Sequence, residues 1–227
     1  TLNQLYDIVD EYVPFKKAKD VEESISLPED MLHLWDKRTT PEYKHTMMYL
    51  MKRGITAKDV LKYGIGYCEG GIYSNRIIIP SYDADGQLNY FVGRSFYKDS
   101  KMKYKNPRVS KDIIGFDLFI NWDEPIVLCE GVFDAIAIKR NTIPLFGKTI
   151  PKSLHKKIIK KKVKDIYIAL DKDAIKDSLK MVTMFLNEGR NVYMIDLDEG
   201  KDPSSLGFTK FTKLMRNTQS INQAGLL

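Results

Sequence analysis

Acidic residues follow three short apolar runs in this sequence. Glu130 ends the run in IVLCEGVFDAIAIKR, Asp171 and Asp173 end it in YIALDKDA, and Asp198, Glu199 and Asp202 follow NVYMIDL. In an open α/β sheet, binding groups gather beyond the carboxyl ends of the strands. Acids far apart in sequence can therefore meet in space. Two acids separated by one residue, as at Asp171 and Asp173, can reach one ion from a turn, and Asp134 lies one helical turn beyond Glu130. Like charges about 4 Å apart repel by roughly 4 kcal/mol at an effective dielectric near 20. A hard divalent cation, Mg²⁺ or Mn²⁺, offsets that repulsion through oxygen ligands. Gly131, next to Glu130, suits a backbone that must come close to an ion or a phosphate. The competing reading is helix capping, since acids favour helix N-termini, and Asp134 or Asp173 taken singly fits it. Acids after three strands, with a glycine beside the first, favour a divalent-metal site.

Those acids need a sheet beneath them. From about Asp123 the pattern alternates: strand IVLCE, helix DAIAIKR, strand IPLFG, helix SLHKKIIKKK, strand VKDIYIALD, helix IKDSLKMVTMFLNEG, strand NVYMIDL. Short apolar strands separated by helices call for a mostly parallel sheet covered on both faces. Upstream, Pro41 opens a helix that clusters Tyr43, Met47, Leu50 and Met51 and closes at Gly54. Thr56 and Asp59 then form a capping box for a helix carrying Val60 and Leu61. RIIIPSYDADGQLNYFVGRSF predicts two strands around an Asp85-Gly86 turn. Asp83 and Asp85 are thereby turn residues, and Pro80 marks an irregularity or a sheet edge. Residues 2–13 place Leu2, Leu5, Tyr6, Val9 and Tyr12 on one helical face, as a partner-binding arm or a loosely packed helix.

Charge is distributed unevenly. The net +6 arises although residues 1–29 hold seven acids against three lysines, so a polyanionic partner suits the remainder. KSLHKKIIKKKVK has seven lysines and no acids, with Leu154, Ile158 and Ile159 as its inner face. The lysines read first as a solvated outer face. Cys68 and Cys129 are far apart, and His33, His45 and His155 lack ligand spacing, so no zinc module is expected. Cys129, at the end of a strand, reads as a buried thiol in a reducing compartment. No stretch suits a membrane span or a secretory leader, which points to the cytoplasm; the chain begins with Thr, as an excised piece would.

EGVFDAIA, ALDKDA and EGKDP together resemble the signature of the TOPRIM family of topoisomerases, primases, nucleases and recombination proteins. The upstream block, with KYKNPRV, is similar to the basic subdomain of bacterial-type and T4-like bacteriophage DNA primases; the likeness spans about residues 30–207. It implies a TOPRIM domain over 123–207 and a smaller mixed α+β basic subdomain over 29–122. An N-terminal helix and linker over 1–28 and a tail or helix over 208–227 complete the chain. It implies catalysis by Glu130, Asp171 and Asp173 with Mg²⁺ or Mn²⁺, Asp134 as a nearby acid, and Glu199 or Asp202 supporting a second ion. Arg76, Arg94, Lys103 and Asn106 match positions that contact template or incoming nucleotide. Tyr104 either stacks on a base or covers the sheet edge.

The implied function is primer RNA synthesis on single-stranded DNA from ribonucleoside triphosphates, in association with a replicative helicase, in a host cytoplasm if phage-encoded. Glu130 serves as metal ligand or as general base. Two departures stand out: DKDAIKDSL lacks the glycine many primases place after the acid pair, and no cysteine-rich zinc module is present. A TOPRIM nuclease and a non-catalytic recombination scaffold are the rivals. A topoisomerase needs a nucleophilic tyrosine, and none of the thirteen tyrosines stands in a distinguishing motif.

Overall fold

The computed structural model describes residues 25–197 and 202–221. The helix expected over 2–13, together with Asp198 and Glu199, lies outside them.

The first half is β1 (Met31–His33), α1 (Pro41–Lys52), α2 (Ala57–Tyr63), β2 (Gly66–Cys68), β3 (Arg76–Tyr82), β4 (Leu88–Ser95) and β5 (Tyr104–Lys105). The five strands form one antiparallel sheet in the order β1-β2-β3-β4-β5. The β3–β4 turn is held by Asp83, whose Oδ1 accepts from the Asp85 and Gln87 amides at 3.0 and 2.8 Å, with Gly86 at φ 79°. Pro80 stands beyond the end of β2, whose pairing with β3 covers only residues 76–78, and the β3–β4 register shifts just after it, at Ser81/Tyr82. Both halves of the expected capping box form at α2, between Thr56 and Asp59.

The second half is β6 (Ile126–Cys129), α3 (Val132–Ile138), β7 (Thr142–Pro144), α4 (Lys152–Lys160), β8 (Asp165–Ala169), α5 (Ile175–Asn187), β9 (Asn191–Met194) and α6 (Pro203–Asn217). Its strands run β7-β6-β8-β9, and every pairing is parallel. Every residue of β6 is buried, because helices cover both faces. Leu154 of α4 and Met181, Val182 and Phe185 of α5 pack on Leu128, Ile166 and Ile168. On the other face, Phe211 of α6 packs on Val127, Ile138 and Ala169. α6 begins at the Asp202 cap, runs across residue 207, and is interrupted at Gly207 (φ 68°, ψ 174°).

Two apolar side chains depart from the sequence reading. Ile159 is 36% exposed while Leu154 and Ile158 are fully buried, because only the i, i+4 pair faces the sheet. Met51 likewise points outward, next to buried Leu50. One core joins the halves: Leu50, Tyr67 and Ile77 cluster with Cys129, Val132, Phe133 and Ile136. Lys139, at the end of α3, adds an ion pair to Asp59 at 2.9 Å. No described helix is long and apolar enough to cross a membrane.

Candidate active site

β6 and β8 are neighbours with Cys129 opposite Ala169, so the residues after them leave the sheet side by side. The Asp171 amide donates to Glu130 Oε1 at 3.1 Å. Asp173 follows in a 3-10 turn, Lys172–Ala174. One carboxylate oxygen from each of Glu130, Asp171 and Asp173 lies within 4.8 Å of the others. Asp171 Oδ1 is buried without a hydrogen-bond partner. An all-oxygen set with an unpaired buried acceptor fits a hard divalent cation of the Mg²⁺ or Mn²⁺ kind and lacks the nitrogen or sulfur ligands typical of zinc.

The acids perturb one another. Burial, and then the Asp171 charge, push the Glu130 carboxyl up to about 7. Burial raises Asp171 too, followed by Asp202 and Asp173. Asp134 rises to about 6 through burial and then Asp202, opposed by the Ser204 amide. Carboxylates whose charged forms are disfavoured in this way gain most from an added cation.

A cavity of about 490 Å³ lies over this cluster at the seam between the two halves. The parallel half contributes Glu130, Gly131, Asp134, Asp171 and Asp202; the antiparallel half contributes Arg53, Arg94, Tyr104 and Asn106. A larger hollow, about 700 Å³, opens between Ile25–Asp30 and Arg108, around Tyr73 and Phe91, away from the trio.

Asp134 and Asp202 border the cavity but serve α6 as well. Asp134 Oδ1 accepts from the Ser204 amide at 3.1 Å, and Asp202 Oδ1 accepts from the Ser205 amide at 2.8 Å. Gly131 has an extended backbone, so its role is one of space: a Cβ there would stand 3.1 Å from Asp134 Oδ2.

The four expected binding residues divide by strand parity. Arg94 of β4 pairs directly with Tyr104 of β5, and its guanidinium lies 4.4 Å from that ring centroid. Val92, Arg94, Tyr104 and Asn106 all face the cavity, as alternate residues on paired strands must. Asn106 Oδ1 accepts from the Gly93 amide at 3.2 Å. Arg76 pairs with Ser95, one step out of phase with Arg94, which puts it on the opposite face. Its Nη2 donates to the Met102 carbonyl at 3.1 Å. Lys103, one residue before Tyr104, is out of phase in the same way and does not line the cavity.

Two cations escape a reading of the sequence. Arg53, just after α1, lies 4.9 Å from the Phe133 ring and donates to Ser204 Oγ at 3.3 Å. Its one local partner is the Tyr49 ring, 5.1 Å away, and the contacts that bring it to the cavity come from residues 80 and more positions away. Lys148 Nζ lies 2.6 Å from Asp173 Oδ2. It follows the tip of β7, so the strand-end rule, applied to cations as well as acids, reaches it.

No family model matches the chain. It is 31% identical over 158 residues to the uncharacterized protein MG010 of Mycoplasma genitalium, covering 65% of this chain and 71% of that protein. It is 24% identical over 224 residues to the DNA primase of Clostridium acetobutylicum and 25% identical over 228 to that of Legionella pneumophila. These matches take in 76% and 77% of this chain; it spans only 37% and 39% of the two primases. Among solved structures, it superposes on a DNA primase domain from Pseudomonas aeruginosa with a TM-score of 0.67 at 22% identity, covering 81% of this chain and 74% of that one. The DnaG primase catalytic domain bound to single-stranded DNA gives 0.67 at 18% identity, over 80% and 74%. The expected likeness to T4-like phage primases has no counterpart among these relatives, which are of the bacterial type. The chain belongs to the same family as MG010, and its fold is that of the TOPRIM-type catalytic core of bacterial DNA primases.

Proposed function

We propose that this chain synthesises short RNA primers on single-stranded DNA by metal-dependent nucleotidyl transfer. The observation that carries the reading is the cavity itself: Glu130 and Asp171, two of the three clustered carboxylates, line one wall and face Arg94 and Asn106 on the other, within a primase-core fold. In the reaction a 3′-hydroxyl attacks the α-phosphate of a ribonucleoside triphosphate, and pyrophosphate leaves. Glu130, Asp171 and Asp173 would hold a divalent ion, which would supply Lewis acidity at the reacting phosphate and lower the hydroxyl pKa. Glu130 Oε1 is engaged by the Asp171 amide, which leaves Oε2 for a ligand or for the proton of the attacking hydroxyl. Arg94, braced on Tyr104, presents a planar set of donors to phosphate. Asn106, with its carbonyl tied to Gly93, keeps its amide nitrogen as a donor. Starting a chain also requires two nucleotides to be held without a primer, which is a matter of positioning by this wall. Template, ribonucleotides, RNA product and a replicative helicase are the partners that go with this reading.

The test supplies single-stranded DNA, labelled ribonucleotides and Mg²⁺ or Mn²⁺. New oligoribonucleotides that vanish with Asp171→Asn support the proposal. Template cutting without synthesis replaces it with a nuclease, and DNA binding with neither activity replaces it with a scaffold.

A further inference from the structure

Lys148 stands out among the charged groups near the trio. Its ammonium sits on Asp173 Oδ2 at 2.6 Å, so it occupies one of the three carboxylates that converge for a metal. It is held there loosely: the side chains of Lys148 and Asp173 are 39% and 74% exposed. An exposed ion pair of this kind is weak and screened by water, so a divalent cation can displace it. The residue before it, Gly147, lines the cavity, so a released Lys148 stays at the cavity's edge on a flexible four-carbon stem.

We propose that Lys148 is a nucleotide-phosphate-binding residue whose ammonium rests on Asp173 until a divalent cation takes that carboxylate. The same side chain thus neutralises Asp173 in metal-free protein and meets the triphosphate once the ion and nucleotide are bound. A charge-assisted contact to phosphate is stronger than the exposed pair it replaces. Metal and nucleotide binding are therefore coupled through one lysine. The inference rests on the nucleotidyl-transfer reading of this cavity and identifies which of its cations takes the incoming triphosphate.

The experiment measures binding, with no turnover required. Mn²⁺ binding to the full chain is followed by electron paramagnetic resonance, first alone and then with a non-hydrolysable ribonucleoside triphosphate analogue. Lys148→Met keeps the stem and removes the charge; Lys148→Arg keeps the charge. The Met variant is expected to bind Mn²⁺ alone about threefold more tightly, as the loss of a competing ion pair predicts. It is expected to bind the analogue about tenfold more weakly, the scale of a lost charged hydrogen bond, with the Arg variant restoring most of that loss. Unchanged or weaker Mn²⁺ binding by the Met variant overturns the proposal, as does unchanged analogue binding or wild-type protein that binds no analogue. If the binding pattern appears but primers never form, the reaction assigned above fails while the role of Lys148 stands.

Discussion

The two sheets supply opposite charges to one cavity by different geometric rules. The parallel sheet delivers its acids from strand tips: Glu130 and Asp171 follow adjacent, in-register strands, and their meeting is a consequence of topology. The antiparallel sheet delivers its donors from a face, where Arg94, Tyr104 and Asn106 are selected by alternation and by the β4–β5 register. A tip position tolerates small errors of register, because everything past the strand end is near the site. A face position does not, since a shift of one residue sends the side chain to the other side of the sheet. Arg76 and Lys103, one step out of phase with Arg94 and Tyr104, do not line the cavity.

The largest effect should come from the tips. Asp171→Asn and Glu130→Gln are expected to lower metal-dependent synthesis at least about a hundredfold, the scale of losing an acid–base or charge-stabilising group. Both variants should stay folded, because each removes a charge that is destabilised by burial and by its neighbours. Wild-type rates in either variant would break the tip half of the comparison. The face half is sharper. Arg94→Ala should weaken nucleotide or template binding about tenfold, whereas Arg76→Ala, on the far side, should change it less than twofold. Equal losses, measured by fluorescence titration, would show that parity does not govern the wall.

How far the sequence carries follows the same division. Apolar runs ending in acids made the parallel sheet and the trio legible, because period and strand-end chemistry are local signals. The Thr56–Asp59 cap and the Asp85-Gly86 turn were legible for that reason as well. Which face a strand residue takes depends on where its pairing begins, and nothing local states that β4 meets β5 with Arg94 opposite Tyr104. Arg53 reaches the cavity through the packing of α1 against α3 and α6, which its local contact with Tyr49 does not reveal. Met51 and Ile159 misled because each adjoins a residue that really is buried, and one residue of helix rotates a side chain by about 100°.

Smaller effects probe the tips and the seam. In metal-free protein, raised Asp134 and Glu130 favour folding while protonated, so their contribution is full below about pH 4 and is lost as pH rises through about 6 for Asp134 and about 7 for Glu130. Mg²⁺ favours the ionised carboxylates, so its effect runs the other way. The gain in Tm from added Mg²⁺, read by calorimetry, should be a few degrees larger at about pH 8 than at about pH 5.5. A gain that is constant or larger in acid would contradict the assignment. At the seam, Lys139→Ala should cost about 1 kcal/mol or less, since it removes one partly exposed pair with Asp59. A loss of several kcal/mol in chemical denaturation would mean the halves rely on that pair more than on their shared core.

The most direct measurement is anomalous diffraction from a crystal soaked with Mn²⁺. A manganese peak bounded by carboxylate oxygens of Glu130, Asp171 and Asp173, and absent from Asp171→Asn crystals, is the predicted result. Manganese bound elsewhere with the trio empty would contradict the claim that adjacent strand tips build the metal site.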